Sequence, residues 1–184
     1  ASDFTTTYVA LRGLAAFATA AQRTRITQRQ NTVVQWLLKT STSDTEDRVF
    51  QLRSLAFAQA EIEAQQTFAD ALISAQRPDG GWAQKDDMTS DAYATGTVLA
   101  SLVQTGHLAP ASAVYQRGLQ FLLKSQKADG SWLVESRSKP FQEYFETGFP
   151  HGVNQFVSTS ATAWATIALI ESLAKPARKS SVAK

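Results

Sequence analysis

The sequence predicts an all-α fold of about seven helices, in which helices buried on most sides alternate with helices that face water on one side. Three observations lead to this prediction. Apolar residues recur at helical spacing along most of the chain, one helical segment with a shared ending occurs twice, and the alternation of apolar and polar residues that signals a strand is weak. With 184 residues and a 43% hydrophobic composition, the chain has enough apolar material for a packed core.

The four helices expected to be fully buried are rich in small residues and apolar nearly all round, as helices with several neighbours are. We place them at residues 5–20, 46–59, 90–104 and 159–174. The third of them opens with Asp91, a residue type that caps helix N-termini well.

The three helices between them are expected to be half-buried, because each carries Lys, Arg or Gln along one side. They cover residues 26–39, 62–77 and 111–125. Asp-Gly follows the last two of them, and Gly readily takes the positive φ that ends many helices. Half-buried and buried helices therefore alternate along the chain.

Residues 71–82 and 121–132 are two copies of one motif, separated by a shift of fifty residues. Each copy ends a helical pattern with Gln, three further residues, Gly, one residue and Trp. The motif residues are Gln76, Gly80, Trp82, Gln126, Gly130 and Trp132. Residues 36–40 resemble a third copy that has lost its Gln, its Gly and the final Trp.

The motif is expected to be structural. Gly between the Gln and the Trp permits a tight reversal of the chain, so the Trp ring can fold back over the flat Gln amide. That amide carries two donors and an acceptor, which could bond free backbone groups at the start of the neighbouring buried helix. We therefore predict that each motif clasps a half-buried helix to a buried one.

This motif and the alternation of helices resemble the repeat of squalene–hopene and oxidosqualene cyclases, and the α/α-toroid that these share with protein prenyltransferase β subunits. The resemblance covers roughly residues 5–175 and implies helical hairpins around a central axis, with inner helices lining an apolar cavity. Four inner and three outer helices make a partial toroid, which a missing portion of the same chain or a second copy in a homodimer could complete. Residues 1–175 are predicted as one domain, which could be a fragment of a longer chain, and residues 176–184 as a flexible basic tail.

The resemblance also implies where a catalytic acid would stand. Cyclases of this kind protonate their substrate with an Asp-x-Asp-Asp motif at the start of an inner helix. In this chain only Asp91 matches the first Asp, and Ala92, Tyr93 and Ala94 follow it. We therefore predict that the protonating acid motif is missing. The catalytic candidates are Asp91, Asp86, Asp87 and His151.

A long aromatic segment separates Trp132 from the last predicted helix. Loops of this length without structure of their own are usually functional or mobile. Two interpretations stay open: a lid over the end of the helical array, or the mouth of a pocket with Tyr144 and His151 as polar contacts. The aromatic residues at related positions of the inner helices would project together, so the predicted ligand-binding residues are Tyr8, Phe50, Tyr93, Trp164, Tyr144 and Phe149.

Composition excludes several classes of site. The chain has no Cys, so disulfides, thiol catalysis and the Cys-containing zinc site of prenyltransferases are excluded, and we expect no metal and no cofactor. The net charge of +2 lies partly in the C-terminal end, which argues against nucleic-acid binding. No apolar run approaches the ~20 residues of a membrane span and no signal peptide is visible, so we expect a soluble protein of unknown compartment.

Two hypotheses about function follow from the resemblance. In the first, the domain lacks the acid motif and binds an apolar, isoprenoid-like small molecule or a protein partner at its inner face. In the second, it is part of an active terpenoid cyclase of the squalene–hopene type, an enzyme of the isomerase class. The first is favoured, because the acid motif is incomplete.

Overall fold

A computed structural model describes residues 2–139 and 143–173 of the chain. Within these ranges lie seven α-helices, which confirms the predicted all-α fold: α1 Asp3–Phe17, α2 Arg23–Lys39, α3 Thr45–Phe57, α4 Ile62–Ser74, α5 Ala92–Gln104, α6 Ala113–Ser125 and α7 Gln155–Ser172. The two remaining kinds of element are short: two 3-10 turns, Ala20–Gln22 and Gly152–Asn154, and a pair of two-residue strands, β1 Trp82–Ala83 and β2 Ser90–Asp91. The predicted basic tail, 176–184, and the loop residue Phe141 lie outside the described residues.

The helices form two layers. The odd-numbered helices pack side by side in the order α1, α3, α5, α7, and the even-numbered helices lie against them, with α2 on α1 and α3, α4 on α3, and α6 on α5 and α7. The odd-numbered helices are therefore the inner row, and the even-numbered helices are the outer row. Helices α5 and α7 approach very closely at Gly96, where a Cβ atom would come within 2.7 Å of the backbone of Trp164 and Ala165.

Burial is greatest in the middle of the inner row. Most of α3 and nearly all of α5 are buried.

A hydrogen bond joins the last outer helix to the last inner helix. The Tyr115 hydroxyl of α6 donates it to the Ala168 carbonyl of α7. The contact holds the last outer helix against the last inner one.

The expectation that all four inner helices are fully buried is wrong for α1 and α7. Phe17 on α1 is 86% exposed and Ile170 on α7 is 58% exposed. The physical reason is their position, because α1 and α7 stand at the two ends of the row and each lacks the second inner neighbour that α3 and α5 have. An apolar pattern indicates what a helix can bury, and the number of neighbours decides what it does bury.

The short strand pair was not predicted, because two residues are too few to show a period. Strand β1 follows the first motif directly and pairs antiparallel with β2, with Trp82 opposite Asp91 and Ala83 opposite Ser90. This pairing places the Trp of the motif beside the N-cap residue of α5. It also turns residues 84–89 into a loop at the N-terminal end of the inner row.

Candidate functional site

Each motif Trp links an outer helix to the next inner helix. Trp82 is 1% exposed, its Nε1 donates to the Leu72 carbonyl of α4 at 2.7 Å, and its backbone N donates to Thr95 Oγ1 of α5 at 2.9 Å. The second copy repeats both bonds, at 2.8 and 3.1 Å, with Trp132, Leu122 and Thr162. The clasp between the two rows is therefore made by the Trp residues.

The predicted bonds from the Gln amides to the inner helices are not formed. Gln76 Nε2 donates to the Gly80 carbonyl at 2.9 Å and to the Val114 carbonyl, in the first turn of α6, at 2.8 Å. Gln126 Nε2 donates to the carbonyl of Gly130 at 2.9 Å. The reason is that Gln76 follows the end of an outer helix, where the nearest backbone groups belong to its own turn and to the next outer helix.

The degraded first copy keeps its contact through a different residue, which the sequence did not reveal. Gln51 on α3 donates from Nε2 to the Leu37 carbonyl at 2.6 Å and to the Thr40 carbonyl at 3.1 Å. Leu37 is the counterpart of Leu72 in the motif alignment. In this copy the Gln51 amide of the inner helix donates the hydrogen bond that a Trp indole N–H donates in the other two copies. The bond still joins an outer helix to an inner helix.

An open cleft of about 460 Å³ lies where the inner helices α3, α5 and α7 begin. We call it the helix-start cleft. Loop residues that follow the two motif Trp residues complete its wall. It is lined by Glu46, Gln84, Tyr93, Ser136, Arg137, Ser138, Phe156, Val157 and Ser160.

Arg137 connects the charged groups at this cleft. Its guanidinium donates to Asp44 Oδ2 at 2.6 Å and to Gln84 Oε1 at 2.9 Å. Gln84 Nε2 in turn donates to Asp91 Oδ2 at 3.0 Å. Asp44 and Asp91 are the N-caps of α3 and α5, so one loop arginine offsets the charge of two capping carboxylates. Sequence reasoning missed Arg137, because its partners are far away along the chain.

Asp91 is engaged through both carboxylate oxygens. Oδ1 accepts from the backbone N of Ala94 at 2.9 Å, and Oδ2 accepts from Gln84. Burial raises the pKa of Asp91, and the hydrogen bonds from Ala94 and Gln84 and the charge of Arg137 oppose that rise. Its geometry is that of a helix cap.

Glu46, which also lines the cleft, joins three inner helices. Its Oε1 accepts from Thr5 Oγ1 of α1 at 2.9 Å, and its Oε2 accepts from the Tyr93 hydroxyl of α5 at 3.2 Å. Burial raises the pKa of Tyr93 far above its usual value, and the Glu46 carboxylate adds to the rise. Tyr93 therefore stays a neutral hydrogen-bond donor at all physiological pH values.

The other predicted inner aromatic residues lie together away from the cleft lining. The rings of Tyr8 and Phe50 have centroids 5.6 Å apart. The Cζ atom of Arg53 lies 5.1 Å from the centroid of Tyr8 and 5.4 Å from that of Trp164. The structure thus brings Tyr8 and Trp164 to a guanidinium that the sequence did not single out, with Phe50 beside Tyr8, whereas Tyr93 lines the helix-start cleft.

Asp86 and Asp87 lie exposed in the loop before α5. The backbone of this loop is fixed by Arg77, whose guanidinium donates to the carbonyls of Lys85, Asp86 and Met88. Neither aspartate lines the helix-start cleft, so the structure does not bring this pair to the site.

The aromatic loop between Trp132 and α7 buries fewer of its rings than its composition suggested. Tyr144 and Phe145 are 56% and 66% exposed, so neither is buried under a lid. Buried Gln155 organises this segment, because it donates to the Tyr144 hydroxyl at 3.0 Å and to the Phe145 carbonyl at 3.1 Å and accepts from Thr147 N at 2.7 Å.

Phe149 is half-buried, and its ring lies 6.3 Å from that of His151. His151 Nε2 is 2.7 Å from Ser131 Oγ, and the same hydroxyl donates to Asp129 Oδ1 at 2.6 Å. His151 is therefore attached to the second motif and is absent from the cleft lining. This partnership had no signal in the sequence, because twenty residues separate Ser131 from His151.

A family model for the squalene-hopene cyclase C-terminal domain matches residues 6–184. The chain belongs to this family. A lanosterol synthase of Aspergillus fumigatus (erg7A) is 36% identical over 96 residues, which cover 52% of this chain and 12% of the synthase. The chain thus spans a small part of that relative. The predicted resemblance to squalene cyclases is confirmed.

In this squalene-hopene cyclase C-terminal domain, three of the described carboxyl groups near the cleft have partners within the protein. Asp44 is bound to Arg137, Asp91 to Ala94 and Gln84, and Glu46 to Thr5 and Tyr93. Each of these three carboxyl groups is therefore already bonded within the protein.

Two further observations concern the described part of the chain. It contains no group of three or more His, Asp or Glu side chains placed to hold a metal ion. None of its helices has the length and apolar character that a membrane crossing needs.

Proposed function

We propose that this domain is a binding module of the squalene cyclase family that does not perform cyclisation, and that it takes an isoprenoid-like ligand in the helix-start cleft. The observation that carries the proposal is the state of Asp91. Protonating an alkene needs a strong acid with a free proton. Asp91 uses both oxygens as acceptors, and burial raises its pKa, which makes it a weaker proton donor.

The lining of the cleft supports an apolar ligand with a polar end. Tyr93, Phe156 and Val157 supply apolar surface, and Glu46 and Arg137 supply charged hydrogen-bonding groups. A volume of about 460 Å³ falls within the ~300–1,000 Å³ of typical small-molecule sites, which combine apolar walls with a few polar groups. An isoprenoid alcohol fits this description, since its hydroxyl can bond a carboxylate or guanidinium while its chain covers the rings.

The test is a titration of the protein with farnesol and with geranylgeraniol, in which binding is measured by calorimetry or by Trp fluorescence. Ser160→Trp should fill the cleft, because Ser160 lies in its lining, and we expect it to weaken binding at least about tenfold, as the loss of ~1.4 kcal/mol would. Thr166→Trp is the matched control, since Thr166 is exposed on the same helix outside the lining. Equal affinity of both variants, or no binding by the unaltered chain, would refute the proposal.

The second candidate function is cyclisation, with Asp91 as the acid. It is favoured by the position of Asp91 at the start of an inner helix and by the burial that keeps its carboxyl protonated to a higher pH. Incubation with squalene and with 2,3-oxidosqualene, followed by mass spectrometry of extracted lipids, separates the two functions. A cyclic product that disappears in Asp91→Asn would establish cyclisation and exclude the binding-only proposal.

The partner that would complete the ring is also a proposal. Val9 and Phe17 on α1 and Ile170 on α7 are exposed at the two ends of the inner row, and an open helical array leaves such edges without a neighbour. Light scattering after size exclusion distinguishes a homodimer from a monomer whose ends a further portion of the same protein would cover.

A further inference from the structure

Arg53 extends from α3 between aromatic rings of two other inner helices. Its Cζ atom lies 5.1 Å from the ring centroid of Tyr8 on α1 and 5.4 Å from that of Trp164 on α7. Both distances are within the ~6 Å at which a cation is attracted to the face of an aromatic ring. Phe50 adds a third ring beside Tyr8. Three inner helices, α1, α3 and α7, thus meet at one guanidinium.

Arg53 is bonded to neutral groups, and it shares the Tyr8 ring with a second cation, because the Cζ atom of Arg12 lies 5.8 Å from that ring centroid. Arg53 donates to the Tyr8 hydroxyl at 3.1 Å and to Gln104 Oε1 at 2.9 Å. Its Nε is buried and has no hydrogen-bond partner, and within residues 2–139 and 143–173 no carboxylate forms an ion pair with it. The nearest link to an acid runs through Gln104, which donates to Glu171 at 3.0 Å. Arg53 as a whole is half-buried, so its guanidinium, without a carboxylate partner, is held by these neutral hydrogen bonds and by its aromatic contacts.

We propose that Tyr8 and Trp164 form a cation site that the chain's own Arg53 occupies, and that this site binds a free organic cation of the guanidinium or alkylammonium class when the Arg53 side chain is removed. The site is distinct from the helix-start cleft, since none of its three residues lines that cleft. In the unaltered chain Arg53 keeps an apolar chain away from these rings, so the predicted ligand-binding residues Tyr8 and Trp164 serve the internal cation.

The test compares Arg53→Ala with the unaltered chain in methylguanidinium and tetramethylammonium chloride at constant ionic strength. Urea is the matched control ligand, because it has the shape and donors of guanidinium without the charge. Arg25→Ala, which removes an exposed arginine of α2, is the matched control variant. At about five times Kd, a ligand that binds only the folded state should raise the melting temperature of Arg53→Ala by about 2–4 °C, with less than about 1 °C in either control.

A second variant guards against failure of Arg53→Ala to fold. Arg53→Gln keeps hydrogen-bond donors for Tyr8 without a charge and should show the same response to both cations. Adding Trp164→Leu to either variant should abolish the response, since the stronger of the two rings is then lost. The proposal is overturned if the cations stabilise the unaltered chain and Arg25→Ala as much as the Arg53 variants, if urea acts as they do, or if the response survives Trp164→Leu.

Discussion

Replacing Trp82 by Phe tests the contact that joins the outer and inner rows. The substitution keeps an aromatic ring in the core but removes the indole N–H that donates to the Leu72 carbonyl at 2.7 Å. The ring itself is tightly enclosed, because a Cβ on Gly118 of α6 would come within 3.0 Å of it. Trp82 therefore touches an outer helix on each side and an inner helix through its backbone bond to Thr95.

The magnitude follows from two losses. A buried carbonyl that loses a donor costs ~1–3 kcal/mol, and the lower half of that range applies, because Ala75 N remains 3.3 Å from the Leu72 carbonyl. The smaller ring leaves a cavity of a few tens of Å³, which costs about 1 kcal/mol. The free energy of unfolding should thus fall by ~2–3 kcal/mol, and the melting temperature of a domain of this size by roughly 5–10 °C.

Urea titration and a thermal scan, both followed by far-UV circular dichroism, measure the effect. Trp36→Phe is the matched control, because Trp36 on α2 is half-buried and stacks on Phe4 at 5.0 Å, a contact that a Phe side chain can keep. We expect the control to change the melting temperature by less than about 3 °C. A Trp82→Phe protein that melts within about 2 °C of the unaltered chain would refute the role assigned to the indole N–H.

Three further predictions concern the turn, the cap and the substitute donor. Gly80→Ala should lower the free energy of unfolding by at least ~2 kcal/mol, since Gly80 has φ +89° and a Cβ there would lie 2.6 Å from the Arg117 carbonyl oxygen. Gly130→Ala is the control: Gly130 has φ +84° and its nearest neighbour would be 4.0 Å away, so it should cost only the ~1 kcal/mol of backbone strain. Equal losses of the two variants in urea titrations would contradict the role of the Arg117 contact. Burial raises the folded-state pKa of Asp91 above 3.8. The stability that Asp91 contributes is therefore fully present below pH 3.8 and is lost as pH rises through the folded-state pKa. The free energy of unfolding of the unaltered chain, relative to that of Asp91→Asn, should increase from pH 7 to pH 4, and a flat difference would contradict the raised pKa. Gln51→Leu should cost ~1–3 kcal/mol, because two carbonyls at the end of α2 lose their donor, and a loss below ~0.5 kcal/mol would show that water replaces the amide.

The helices could be predicted from the sequence because their apolar spacing extends over many residues. All seven lie where the periodicity placed them, and the two motif copies marked where outer helices end. Burial of the terminal inner helices was overestimated, since a pattern carries no information on how many neighbours a helix has. Val9 and Phe17 are apolar and still exposed at the end of the row.

The site was less predictable, because its residues meet only through the fold. Arg137 and Asp44 are ninety-three residues apart in sequence, and nothing local to either residue indicates the ion pair. Arg53 is one of two arginines on α3, and only the packing of α1 and α7 brings Tyr8 and Trp164 to it. Tyr93, in contrast, was identified as a ligand-binding candidate from its position on α5 and does line the cleft.

We propose that this member of the squalene cyclase family binds an isoprenoid-like molecule at the start of its inner helices without converting it. The most direct measurement is an NMR experiment with ¹³C-labelled geranylgeraniol and the intact chain, which reports both the position and the fate of the ligand. The account predicts NOEs from the ligand methyls to the ring protons of Tyr93 and Phe156, and recovery of unchanged geranylgeraniol. Ligand NOEs confined to other parts of the protein, or ligand signals that convert to those of a ring, would contradict it.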